Sequence, residues 1–254
     1  MKITILKVLV TGFYFFMIYM NYLANSLPLN NRNTGQISDE YPSLFTPSGY
    51  AFSIWGIIYI LLGIYVVKIL FTVSGDFTEQ YMTSVMILFI ATSSLNITWL
   101  VLWHYDYIVM SSVVMLVFLI LNVLTVSLIP SSEVLIKTTF SIYAGWIMVA
   151  FIANISIMLV KLNIPIFANN ETVWYVIVMS VGLMIVGILL IFDHNVVYAL
   201  VFIWAFLAIF LKHLSKEGYY LNSSLPIVYT GIIIGVIGII SIWTFISNGY
   251  KVFL

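Results

Sequence analysis

The sequence predicts an all-α integral membrane protein that crosses the bilayer several times, and three observations predict it. Of its 254 residues, 63% are hydrophobic and 7% are charged, and the mean hydropathy is +1.15. A water-soluble domain of this length cannot hide that much apolar surface. The charges are segregated: Asp39, Glu40, Asp76, Glu79, Asp106, Glu133, Glu171, Asp193 and Glu217 fall between long apolar runs. Those runs are continuous and lack the ten-residue alternation of a β-barrel, so the spanning elements are helices.

A hydrocarbon core of about 30 Å takes roughly 20 apolar helical residues to cross. Runs of that length lie at residues 3–25, 49–71, 82–104, 107–129, 135–160, 172–192, 195–212 and 226–247. The first, with Lys2, Lys7 and Ala24-Asn25-Ser26, has the flanks of a signal peptide, but its apolar stretch exceeds the usual 7–15 residues, so it is read as a retained helix. A long connection, residues 27–48, follows. It carries Pro28, Pro42, Pro47 and Gly35 within an Asn/Ser/Thr-rich stretch and so is irregular, and Thr46-Pro47-Ser48 suits the start of the second span. Connections this long are often functional. Tyr41, Phe45 and the adjoining Tyr50 argue that it packs on the bundle as a lid, with Tyr41, Phe45 and Pro47 as its contact residues.

In the second span Phe52, Trp55 and Tyr59 recur at intervals of three and four and form one stripe, continued by Gly63. Thr92, Asn96, Trp99 and Trp103 repeat the pattern in the third span, and Tyr143, Trp146, Ala150 and Asn154 in the fifth. A side-chain amide in hydrocarbon must find partners, so Asn96 and Asn154 face the interior. Trp103, near a span end, reads as part of the interfacial aromatic belt. The sixth and seventh spans are joined so tightly, through Phe192-Asp193-His194-Asn195, that they form a hairpin. Composition steps at Asn163-Ile164-Pro165: beyond it the spans are smoother, and Gly231, Gly235 and Gly238 on the last one mark either a close-packing face or the ordinary frequency of glycine in membrane helices. With an even number of spans both termini share a side, and the slight excess of Lys2, Lys7, Lys68, Lys137 and Lys251 over Arg32, Lys161, Lys212 and Lys216 places that side in the cytoplasm.

Several function classes are disfavoured. Net charge is zero and no basic run exists, so nucleic acid is not an expected partner. Cysteine is absent, which excludes disulfides, thiolate metal sites and a cysteine nucleophile. Ion-coupled transport needs ionisable groups or broken helices at membrane depth, whereas the charges and Pro47, Pro130, Pro165 and Pro226 fall at or outside span ends. The pairs His104/Asp106 and Asp193/His194 sit at span ends, where they read as interfacial polar groups and not as catalytic or metal-ligating ones.

Three runs resemble a known family. FTPSGYAFSIWGIIYILLG (residues 45–63) is similar to the loop-to-second-helix signature of the TspO/MBR family, the tryptophan-rich sensory and translocator proteins. LNITW (95–99) resembles that family's third-helix Asn-x-x-Trp element, and YAGWIMVAFIAN (143–154) its fifth-helix Tyr-x-x-Trp-x-x-x-Ala-x-x-x-Asn pattern. The chain departs from the family at Ser48, Ile142 and Met158, where a proline, a proline and a tryptophan are common. The resemblance covers residues 1–163 and implies a five-helix bundle there, with residues 164–254 forming an extension of about three additional transmembrane helices. It implies an interior cavity for flat lipophilic ligands, tetrapyrroles above all, lined by Trp55, Tyr59, Asn96, Trp99, Trp146, Ala150 and Asn154. Ala150 would act by being small beside Trp146. Porphyrin or haem is then a ligand and no cofactor is obligatory. The expected partners are the bilayer, a lipophilic small molecule and a second copy of the chain, and the expected setting is a bacterial plasma membrane. Passive or secondary transport of a lipophile, and weak porphyrin-degrading turnover, are the alternatives.

Overall fold

The computed structural model describes residues 2–26, 29–41, 43–72, 79–164, 170–215 and 224–254. Leu27, Pro28, Pro42, Asp76, Pro165, Lys216 and Glu217 lie outside the described residues. The helices are α1 (Lys2–Ser26), α2 (Thr34–Asp39), α3 (Ile54–Phe71), α4 (Glu79–His104), α5 (Ile108–Leu128), α6 (Val134–Lys161), α7 (Glu171–Ile188), α8 (Val196–Leu214) and α9 (Ser224–Ser247). Short 3-10 turns occupy Leu29–Asn31 and Gly49–Ser53, and one π turn occupies Leu189–Asp193. Eight helices among the described residues are long and apolar enough to span a bilayer, each within two residues of the run expected from the sequence. The protein is an integral, multi-pass membrane protein.

Helix ends follow local chemistry. The last turn of α4 leaves carbonyls without intrahelical partners. That of His104 accepts from Asn30 Nδ2 at 2.9 Å and Arg32 Nη2 at 3.2 Å. The chain then turns through Asp106 at φ 64° into α5. The expected hairpin forms between α7 and α8: the π turn runs into His194 at φ 49°, and Asn195 caps α8 by accepting from the Val197 N–H at 3.1 Å.

The chain divides into two compact units, Met1–Ile37 with Ile54–Ile147, and Ser38–Ser53 with Met148–Leu254. This division falls inside α6, a different place from the composition step at Asn163.

In the first unit α4 packs on α1 and α5, and α1 also on α3. α6 joins them through large rings: Phe140 meets Tyr65 and Phe89, and Tyr143 meets Phe118. Gly63 lets α1 approach α3. A Cβ there would lie 2.6 Å from the Tyr14 hydroxyl, which donates to the Tyr59 carbonyl at 3.0 Å. Lys68 pairs with Glu133 at 2.6 Å near the ends of α3 and α6.

In the second unit α9 packs on α7 and α8. Of the two readings of its glycines, close packing is not the one these positions show. Gly235 and Gly238 have open space where a Cβ would go, and Gly231 only an ordinary 3.6 Å contact with Phe210. The tight approach is at Gly182 of α7, whose Cβ would sit 2.7 Å from the Phe206 ring of α8. At Gly182 the absent side chain leaves room for a large ring of the neighbouring helix. Hydroxyl groups link the same helices: Tyr175 bonds Thr230, and Ser180 meets Tyr229 at 2.6 Å.

Candidate ligand-binding site

In the first unit the aromatic stripes of α3, α4 and α6 converge on Trp55. Positions four apart on a helix are neighbours, so Trp55 stacks on Tyr59 (centroids 5.5 Å, 23° between planes) and Trp99 on Trp103 (5.8 Å, 30°). The two pairs meet where Trp55 stacks on Trp99 at 6.3 Å and 26°. Four rings therefore run in series, Tyr59, Trp55, Trp99, Trp103, each stacked on the next. α6 supplies the wall: Tyr143 and Trp146 present themselves edge-on to Trp55 at 6.1 and 6.3 Å. Trp55 and Trp146 touch edge to face, because a dry gap between two indoles would forfeit the contacts on both.

Trp103 corrects an expectation. It is not an interfacial belt residue: it is 4% exposed, and its indole N–H donates to the Thr34 carbonyl at 3.3 Å.

Asn96 forms the polar floor of this aromatic box. It is fully buried, accepts from Asn21 Nδ2 at 2.8 Å and donates to the Tyr143 hydroxyl at 3.4 Å. The amide also faces the buried Tyr59 hydroxyl, whose proton has no acceptor among the described residues. The structure thus brings Trp55, Tyr59, Asn96, Trp99 and Trp146 together. Ala150 and Asn154 lie one and two turns farther along α6, half-buried and buried respectively, in the part of that helix that groups with the second unit. Among the described residues no cluster of His, Cys, Asp or Glu has the makings of a metal site.

Sequence reasoning missed Asn21, and Tyr143 was noted in a motif without a binding role. Asn21 was findable: a lone amide in an apolar helix demands a partner for the same reason Asn96 does.

The first connection is shared: up to Ile37 it groups with the first unit, and from Ser38 onward it belongs to the second, where it is tied to α7 and α8. The Leu44 N–H donates to Glu171 Oε1 at 3.2 Å, and its carbonyl accepts from His213 Nε2 at 2.9 Å. Phe45 is buried edge-on against Phe206. Trp204 donates to the Ala51 carbonyl at 3.1 Å and packs on Tyr50, while Tyr41 lies beneath the Lys161 ammonium at 5.9 Å. Pro47 is buried in the same segment.

No curated protein and no solved structure matches the chain. A family model described as TSPO-like protein matches residues 7–245. The sequence motifs stop in α6, whereas this match continues through α7, α8 and most of α9, so the C-terminal helices lie within the region the family shares. A match over nearly the whole length, with a tryptophan-walled box where the motifs place their aromatic residues, leads to one conclusion: the chain belongs to the TSPO-like protein family.

Proposed function

We propose that this protein is a membrane-embedded binding or sensory protein for flat lipophilic ligands, with tetrapyrroles such as protoporphyrin IX and haem as the class it takes. The observation that carries the reading is the successively stacked series Tyr59, Trp55, Trp99, Trp103, closed by the edges of Tyr143 and Trp146 over a buried amide. Parallel indole faces suit an apolar plane, and an amide at the floor suits a polar edge. Family membership supports a ligand-binding or sensory role. The box is closed by ring-on-ring contact, so a macrocycle enters by parting Trp55 from its neighbours and takes over the contacts those rings make with each other. A bacterial plasma membrane is the proposed setting.

The test is a titration of purified protein in detergent with protoporphyrin IX, haem and, as a non-planar lipophile, cholesterol. Tryptophan fluorescence and the porphyrin absorption band are read together. Saturable quenching with a band shift for the two tetrapyrroles, and none of the quenching for cholesterol, supports the reading. Equal quenching by all three, or linear unsaturable quenching by porphyrin, sinks it.

A further inference from the structure

The polar floor of the box has a direction, and α1 sets it. The Asn21 side chain donates to the Met17 carbonyl of its own helix at 2.9 Å and to Asn96 Oδ1 at 2.8 Å. A backbone carbonyl can only accept, so the Asn21 atom turned towards it is the NH2 group. That same NH2 meets Asn96, which must therefore answer with its oxygen. The Asn96 NH2 is left for the opposite side, where the Tyr143 hydroxyl accepts at 3.4 Å and passes its own proton towards Met17 Sδ at 3.9 Å. The circuit begins and ends on Met17. No amide in it can flip without setting two acceptors or two donors against each other in a buried site, which costs more than the bonds themselves gain.

The consequence falls on the groups around the box. Besides Tyr143, the Asn96 NH2 is directed at the Tyr59 oxygen, so the Tyr59 O–H proton is the one left without an acceptor among the described residues. Indoles only donate. The unmet group on this side of Asn96 is thus a donor, the Tyr59 O–H.

We infer that Asn21 fixes the hydrogen-bond polarity of the box, so that it selects flat ligands whose buried edge carries an acceptor, such as a carbonyl or an unprotonated ring nitrogen, over those whose edge carries an N–H donor. This rests on the box being the ligand site, and it makes Asn21 a positioning residue that need not touch the ligand.

The probes are three tricyclic planes of nearly equal size: fluorenone, with a carbonyl; fluorene, with a methylene; and carbazole, with an N–H. In the wild type, fluorenone is expected to bind about three- to tenfold tighter than fluorene, the worth of one net hydrogen bond, and carbazole weakest. In Asn21→Leu the Asn96 amide is free to turn, and the fluorenone-to-carbazole ratio falls towards one. Carbazole binding as well as fluorenone in the wild type, or an Asn21→Leu variant that keeps the wild-type ratio, overturns the inference. A ligand-free measurement guards against a variant that does not fold. With 15N-asparagine in the wild-type protein, the Asn96 side-chain NH2 protons should show through-space contacts to the rings of Tyr143 and Tyr59. Contacts of those protons to Asn21 instead would refute the polarity. Trp146→Ala separates the two claims. If it leaves the binding of all three probes unchanged, the box is not their site and the proposed function falls, whereas probes that need Trp146 but bind equally well remove only the polarity.

Discussion

Gly63 shows how much a single residue decides here. Alanine is favoured over glycine inside a helix by about 0.5–1 kcal/mol, so Gly63→Ala gains on propensity. It loses more by overpacking, because its Cβ would stand 2.6 Å from the Tyr14 hydroxyl, and strain of that kind costs about 1–3 kcal/mol. Gly63→Ala is therefore expected to lower the unfolding midpoint in detergent. Adding Tyr14→Phe, which removes the atom in the way, should return part of the loss. Gly235→Ala, with open space around it, should be neutral or stabilising. A Gly63→Ala protein as stable as wild type would mean that α1 and α3 are not held at this distance. The sequence marked Gly63 as part of the Trp55 stripe, and it marked Asn96 as an amide needing a partner. It could not name Tyr14 or Asn21 as those partners, because helix periodicity orders residues within a helix and is silent about which helix stands opposite.

Among the elements, the spans were legible and the connection between the first two was only half so. Apolar runs of about 20 residues have one structural solution in a bilayer, so their ends were readable to within two residues. The first connection was readable as irregular and packed, through its prolines and Phe45. Its partners were not, since Leu44 and His213 are 169 positions apart and nothing local connects them. His213→Ala leaves the buried Leu44 carbonyl without that donor, a loss of about 1–3 kcal/mol. Amides of residues 43–48 should then exchange hydrogen faster, while those at the start of α8 should be unaffected. Asn195→Ala should do the reverse, loosening the first turn of α8 by about 1 kcal/mol through loss of its cap. If exchange in residues 43–48 is the same with and without the His213 ring, the segment is held by Phe45 and Trp204, and the histidine contributes nothing to it.

For the whole molecule, membrane character followed from composition and family from three short motifs, two properties that need no knowledge of contacts. The division into compact units was not legible, because α6 runs unbroken from Val134 to Lys161 with no change in character at residue 147. Nor did composition show that the family's shared region extends past α6 to residue 245. The central claim is that a flat ligand sits among the indoles of the first unit. It is tested most directly by the affinity of protoporphyrin IX for wild type, Trp146→Ala and Trp243→Ala, measured by fluorescence quenching in one detergent. Trp146 is 2% exposed and meets Trp55 edge-on, whereas Trp243 is 63% exposed on α9. Stacking on an aromatic face is worth about 1–3 kcal/mol, so Trp146→Ala should weaken binding about tenfold and Trp243→Ala should leave it unchanged. Wild-type affinity in Trp146→Ala, or an equal loss in both variants, would place the ligand outside the box and contradict the account.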